Sequence, residues 1–402
     1  MHFKKLYLLA PVVVLSLTSC GSKSVRYKIE DYCLSYNDMI SKRHSDFKAS
    51  YSEFNILQLS DLHMGMMDDF DYHMNFVKET IEQTNEILKE KNNSNSNSGH
   101  IDLIIITGDV FTFSDKRTVY ELCDFFESQK IPWTLTFGNH DEQAYYSVDW
   151  LTSYLTNLSK RDDSYLLFKD MPDDDVFGNA NFVIDLDSDS ESSNGVNRQI
   201  VMLDSNRYNY GEGYGYDYIH YDQIDWYNRV VDYFQEKYSN GPKSLCFFHI
   251  PLPEYRDAFN DAQDDSKSNA SFINGKLYIK GDKEKEVTRE GDKDTSDGAP
   301  KVNTHFFDAL LKSNYVKGTF VGHAHTNTYC VDYNNEGKSL ENNNSVALCY
   351  GVKSTDRVYC DYEMLGGQLI TFYDSSKDQD NDSDGQKGSD WFDVDLIYHK
   401  YA

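Results

Sequence analysis

Positive charge is what this 402-residue chain has least of: 39 Lys and Arg face 66 Asp and Glu, a formal net charge of −27. Such a surface repels nucleic acid phosphates and anionic membrane faces, so neither a nuclease of long polyanions nor a basic membrane-binding surface is expected. The 7 cysteines include no CxxC pair, which argues against a zinc knuckle or a dithiol redox motif. Only one long apolar run occurs, from Leu6 to Leu17, and it is shorter than the roughly 20 residues that span a bilayer.

That run sits behind Lys4 and Lys5 and ends in small residues before Cys20, the pattern of an exported signal segment rather than a spanning helix. Leu17-Thr18-Ser19-Cys20 resembles the bacterial lipobox, which implies cleavage before Cys20 and lipidation of its thiol. The expectation is a signal peptide over 1–19, an anchor and lead-in over 20–50, and a body held outside the cytoplasm through its N-terminal lipid. An ordinary secretory signal with an incidental cysteine is the plainer alternative. Export permits disulfides, and Cys330 with Cys349, on neighbouring expected strands, is the candidate pair.

With 39 % hydrophobic and 14 % aromatic residues, the chain has material for one large core. Strand-like runs at 54–59, 101–107, 133–136, 182–186, 199–203, 245–248, 318–321, 329–333, 345–349 and 368–373 alternate with helical patterns. In the first of these, Phe70, Met74, Val77, Ile81 and Leu88 share one face of a helix over 70–89. Further helices are expected at 118–129, 222–238 and 306–312. Alternation of this kind predicts an α/β class with layered, partly mixed sheets over 51–374. Residues 257–302 read as a polar surface insertion, and 375–402 as an acidic segment followed by an edge strand near 391–398.

Five short motifs each follow an expected strand: Asp61-Leu62-His63, Gly108-Asp109, Gly138-Asn139-His140-Asp141, His249, and Gly322-His323-Ala324-His325. Loops at the carboxyl ends of strands converge on one crevice in layered α/β sheets. Two metal ions roughly 3.5–4 Å apart need a carboxylate that bridges them, with imidazoles and a side-chain carbonyl around it. The one-residue spacing of Asp61/His63 and His323/His325 places each pair on one side of an extended segment. Each motif alone has a structural reading, as a helix cap, a turn or a buried histidine; the ordered set does not.

That set resembles the calcineurin-like metallophosphoesterase superfamily over about residues 54–373. His249–Glu254, Asp222–Trp226 and Leu348–Gly351 are similar to the branch related to purple acid phosphatases but lacking their chromophore. The resemblance implies a four-layer α/β/β/α sandwich, and two ions of Mn, Fe or Zn between the sheets. Asp61, His63, Asp109 and His325 would hold one ion; Asp109, Asn139, His249 and His323 would hold the other, with Asp109 bridging. It further implies in-line attack on a small phosphate ester by a metal-bound hydroxide, with Asn139 and His140 facing substrate, His140 stabilising charge or protonating the leaving oxygen, and Asp141 either orienting His140 or acting as a helix cap. Thr112 stands where purple enzymes carry a ligating Tyr and protein phosphatases an Asp, so neither of those activities is implied. Monoesters are the expected substrates, with diesters and a non-catalytic surface scaffold as alternatives. The aromatic stretch Tyr208–Tyr221 fits a stacking wall over a sugar or base, or a surface loop, and Arg207 fits a phosphate contact or an ion pair.

Overall fold

The structure is a computed structural model that describes residues 27–45, 47, 52–91, 99–172, 176–187, 195–211, 215–273, 298–341, 343–375 and 391–399. Its strands are β1 Cys33–Ser35, β2 Glu53–Leu59, β3 Leu103–Thr107, β4 Trp133–Thr136, β5 Phe182–Asp185, β6 Arg198–Met202, β7 Tyr208–Asn209, β8 Gly215–Tyr216, β9 Lys243–Phe247, β10 Ala270–Phe272, β11 Val316–Val321, β12 Cys330–Tyr333, β13 Val346–Tyr350, β14 Gly366–Tyr373 and β15 Phe392–Tyr398. The α-helices are α1 Phe70–Lys91, α2 Lys116–Gln129, α3 Val148–Ser159, α4 Tyr221–Lys237, α5 Glu254–Gln263 and α6 Phe306–Ser313.

Two mixed sheets form the centre. One runs β15-β14-β2-β3-β4, the other β1-β5-β6-β9-β11-β13-β12-β10. Strands β2, β3 and β4 are mutually parallel, as are β6, β9, β11 and β13. Their apolar residues alternate with the strand period of two, which sends successive side chains to opposite faces. Ile200 and Met202, Leu245 and Phe247, and Ala347 and Cys349 enter the core shared with the five-stranded sheet. Val201, Cys246, Phe248, Leu348 and Tyr350 instead pack with Trp226, Val230 and Phe234 of α4, Tyr255 of α5 and Phe307 of α6. On the far side Met74, Val77, Ile81 and Leu88 of α1, with Leu122 and Leu151 of α2 and α3, cover the smaller sheet. Burying both faces of both sheets gives the expected layering of helices, sheet, sheet, helices.

Several segments are more structured than their sequences suggest. Within the expected lead-in, Tyr32, Tyr36 and Ile40 are buried, and β1 pairs parallel to β5. The expected polar insertion begins inside α5, whose Tyr255, Ala258 and Phe259 share one buried face, and contains β10, which edges the larger sheet beside β12. The strand at the carboxyl end pairs antiparallel with β14 along its length. Cys330 and Cys349 face each other across β12 and β13 and are disulfide-bonded. The signal segment, Cys20 and most of the acidic segment after 375 lie outside the described residues.

Candidate metal centre

Each candidate ligand leaves the carboxyl end of a parallel strand: Asp61 and His63 after β2, Asp109 after β3, Asn139 after β4, His249 after β9, and His323 and His325 after β11. Three of those strands belong to one sheet and two to the other, so the crevice lies where the two parallel sets meet. Asp61, His63, Asp109 and His323 all have positive φ, at 56°, 51°, 48° and 74°. The expected extended geometry for Asp61 and His63 is therefore replaced by tight left-handed turns, each costing a non-glycine residue about 1–2 kcal/mol. Strain of this kind persists only where surrounding contacts over-determine it.

Around Asp61 those contacts come from a segment that sequence reasoning missed, Lys353–Tyr359. Ser354 N donates to Ser60 O at 2.9 Å while Ser60 N donates to Ser354 Oγ at 3.0 Å. Lys353 Nζ donates to the Asp61 carbonyl at 2.7 Å, and Thr355 Oγ1 to the Leu62 carbonyl at 2.7 Å. Three successive peptide groups around Asp61 are thus held from one strap, and Lys353 is buried, which lowers its pKa to about 8. Its only sequence signal was position, directly behind Leu348–Gly351 and a buried strand.

The side chains form two clusters joined at Asp109. Asp61, His63 and His325 converge, with His325 Nε2 2.9 Å from His63 Nε2 and 3.3 Å from Asp61 Oδ1. Asp109, His249 and His323 form the second cluster, and Asp109 Oδ2 lies 3.2 Å from His249 Nε2 and 3.7 Å from His63 Nε2. One carboxylate oxygen therefore faces imidazoles of both clusters. His249 Nδ1 and His325 Nδ1 meet the carbonyls of Thr107 at 2.7 Å and Tyr359 at 2.8 Å. A carbonyl only accepts, so both rings carry Nδ1–H and turn Nε2 to the crevice, the arrangement typical of metal-binding histidines. Thr112 Oγ1 lies 2.8 Å from His63 Nδ1 and aims that ring in the same way. Gly108, at φ 77°, has no room for a side chain, since a Cβ there would stand 2.6 Å from the His249 ring.

The electrostatics also suit cations. Burial opposes the charge of Asp61 and Asp109, yet His325 and His249 hold the two carboxyls well below their usual range. Burial works against a charged His249 too, but Asp109 at 3.2 Å pushes it up to about 9. Burial, with the charge of His249, pushes His323 down to about 3; burial, with the charge of Lys353, lowers His63. One buried polar atom here, Asn139 Oδ1, has no hydrogen-bond partner. Buried polar atoms are rarely left so. It belongs to the expected ligand set, and a divalent ion would satisfy it; the residues fit a dinuclear centre, including Asn139, whose amide nitrogen donates to Tyr208 OH at 3.1 Å and leaves Oδ1 inward.

His140 lies at the edge, half-buried, within reach of His63 and Asp109. Its backbone N–H donates to Asp109 Oδ1 at 2.7 Å, and its Nδ1 sits 2.8 Å from Gln143 Oε1. The expected role of Asp141 is corrected: its carboxylate accepts the backbone N–H groups of Phe111 at 2.7 Å and Gly138 at 2.6 Å, so it braces the loop and Gln143 orients His140. Arg207 forms an ion pair with Glu142.

A profile of the family described as calcineurin-like phosphoesterase matches residues 54–327, well over half of the chain. The chain belongs to this family. Among its relatives is a protein of Arabidopsis thaliana named probable inactive purple acid phosphatase 29, 29 % identical over 347 residues, covering 79 % of this chain and 76 % of that protein. Another from the same plant, probable inactive purple acid phosphatase 14, is 26 % identical over 317 residues, covering 69 % of this chain and 67 % of the other. Phosphatase DCR2 of Saccharomyces cerevisiae is 28 % identical over 323 residues, which is 74 % of this chain and 47 % of the yeast protein. These names agree with the branch that His249–Glu254, Asp222–Trp226 and Leu348–Gly351 resemble.

Proposed function

We propose that this metal-dependent phosphoesterase hydrolyses small phosphate monoesters outside the cytoplasm, tethered through a lipid on Cys20. The observation that carries the hydrolase reading is the Asp109 carboxylate set between two histidine clusters, beside the orphaned Asn139 Oδ1. Bound there, two ions of Mn, Fe or Zn would neutralise phosphoryl oxygens and lower the pKa of a water. The chain's own part is orientation. Asp109 fixes the His140 backbone, Gln143 Oε1 accepts its Nδ1–H, and Nε2 is left to face the ester, where the ring carrying both protons gives one to the leaving oxygen. Thr112 is turned to His63, so no phenolate from that position reaches the crevice to give a purple chromophore.

The lipobox-like Leu17–Cys20 supports export, and so does the Cys330–Cys349 disulfide, since such bonds persist in oxidising compartments. No helix among the described residues is long and apolar enough to cross a membrane. A non-catalytic scaffold is the second reading, favoured by the words "probable inactive" in two relatives' names. Against it stands the complete donor set of this chain. The test is hydrolysis of p-nitrophenyl phosphate and bis-p-nitrophenyl phosphate by chelator-stripped full chain in detergent, reloaded with each metal, beside His140→Ala. Metal-dependent turnover, faster on the monoester and lost in the variant, is expected; equal indifference to metal and to the substitution would leave the scaffold.

A further inference from the structure

We infer that Tyr208 is a substrate-contacting residue whose hydroxyl donates its proton to a phosphoryl oxygen of an ester seated at the second cluster. The inference rests on the phosphoesterase reading for the identity of that anion, and on hydrogen-bond accounting for the rest. A phenol has one proton to give and two lone pairs to offer. The Asn139 amide donates to the Tyr208 oxygen at 3.1 Å, and it must, because Asn139 Oδ1 is the atom turned to the crevice. With that bond made, Tyr208 OH still has its proton to give; it has no acceptor for it among the described residues, and an anion seated beside Asn139 would supply one.

Tyr208 OH is thus hydrogen-bonded to the residue next in sequence to His140, whose Nδ1 is held by Gln143 Oε1 at 2.8 Å. The Tyr208 ring is fixed by the β7–β8 hairpin, in which Tyr208 lies opposite Tyr216 and the two rings stack with centroids 5.7 Å apart. Tyr216 in turn sets its ring edge against His323 at 4.3 Å. Tyr208 belongs to neither hydrophobic core, so core packing does not account for an aromatic ring at this position. A donor aimed at the anion would strengthen as charge builds on phosphoryl oxygens.

A role confined to positioning Asn139 predicts something different, and Tyr208→Phe separates the two because it removes only the hydroxyl. Full-length wild type and variant, stripped by chelator and reloaded with whichever of Mn, Fe or Zn binds at two per chain, are compared in metal content, orthophosphate binding by calorimetry and kcat/KM on p-nitrophenyl phosphate. Substrate contact predicts equal metal content, with orthophosphate affinity and kcat/KM both about 10- to 100-fold weaker, the range for a hydrogen bond to a charged group. Unchanged orthophosphate affinity overturns the inference, as does loss of an ion from the variant, which would assign Tyr208 to Asn139 alone. A wild type that binds orthophosphate but hydrolyses no ester defeats the phosphoesterase reading while the calorimetric comparison still decides Tyr208. A wild type that binds no orthophosphate overturns the Tyr208 assignment itself.

Discussion

Adding one methyl group, as Gly138→Ala, tests whether the site is built by close approach of backbone to ligands. A Cβ at this position would stand 2.4 Å from both the backbone N and Oδ1 of Asp109, and 2.7 Å from Cδ2 of His249. Ordinary contact begins near 3.4 Å, so something must move by about 1 Å. Asp109 cannot yield easily, because its carbonyl accepts from His63 N at 2.8 Å and its φ of 48° is already strained. Residue 138 is held as well, its N–H bound to Asp141 Oδ2 at 2.6 Å. Overpacking of this kind costs about 1–3 kcal/mol of stability, which a domain of this size tolerates. Metal ligands tolerate far less, since donor distances vary by only about 0.2 Å. The expected outcome is a folded protein whose ion affinity falls at least about 10- to 100-fold, read by metal content and calorimetry, with circular dichroism checking the fold. Two ions bound at wild-type affinity would refute the claim that Gly138 is there to let Asp109 and His249 approach.

Metal uptake should release protons. His249 is held at about 9 in the metal-free protein, so at pH 7 an ion must displace its proton, and affinity should rise by up to about tenfold per pH unit until pH 9; calorimetry in two buffers of different ionisation enthalpy measures the release. By the same shift, upward from 6.5, that proton stabilises the metal-free fold fully below about pH 6.5, and the contribution fades as pH rises through 9, which denaturant titration with chelator present would detect. Lys353→Met should leave the buried Asp61 carbonyl without its donor, costing about 1–3 kcal/mol in denaturant unfolding and weakening uptake of one ion more than the other. Reducing the Cys330–Cys349 bond, 19 residues apart in sequence, should cost about 3 kcal/mol, measured as a lower unfolding midpoint with reductant.

What was legible in the sequence was whatever depends on local pattern. The continuous run Leu103–Thr107 and the one-sided helix Phe70–Lys91 announced their burial, and each ligand motif was found because it abuts such a strand. The α/β class followed from alternation of those elements, and the four layers from the family resemblance of the motifs. Less legible were elements whose burial comes from partners far along the chain. Helix α5 reads EYRDAFNDAQ, mostly polar, and only contact with the larger sheet shows that Tyr255, Ala258 and Phe259 are inward. Strand β1 exists through pairing with β5. The strap is the same case within the site: Lys353 meets Asp61 across 292 residues, and neither residue type nor spacing marks that bond. Asp141 failed for the opposite reason, since adjacency to His140 suggested a partnership while its carboxylate was taken by backbone N–H groups of Phe111 and Gly138.

The most direct test is to add metal stepwise to chelator-stripped full-length protein and record bound ions and p-nitrophenyl phosphate hydrolysis on the same samples, with Asp109→Asn in parallel. The account predicts two ions per chain, turnover that appears as the second is taken up, and loss of paired binding when the carboxylate shared by the two clusters becomes an amide. Two tightly bound ions with no ester hydrolysed, or hydrolysis that persists without metal or in Asp109→Asn, would contradict it.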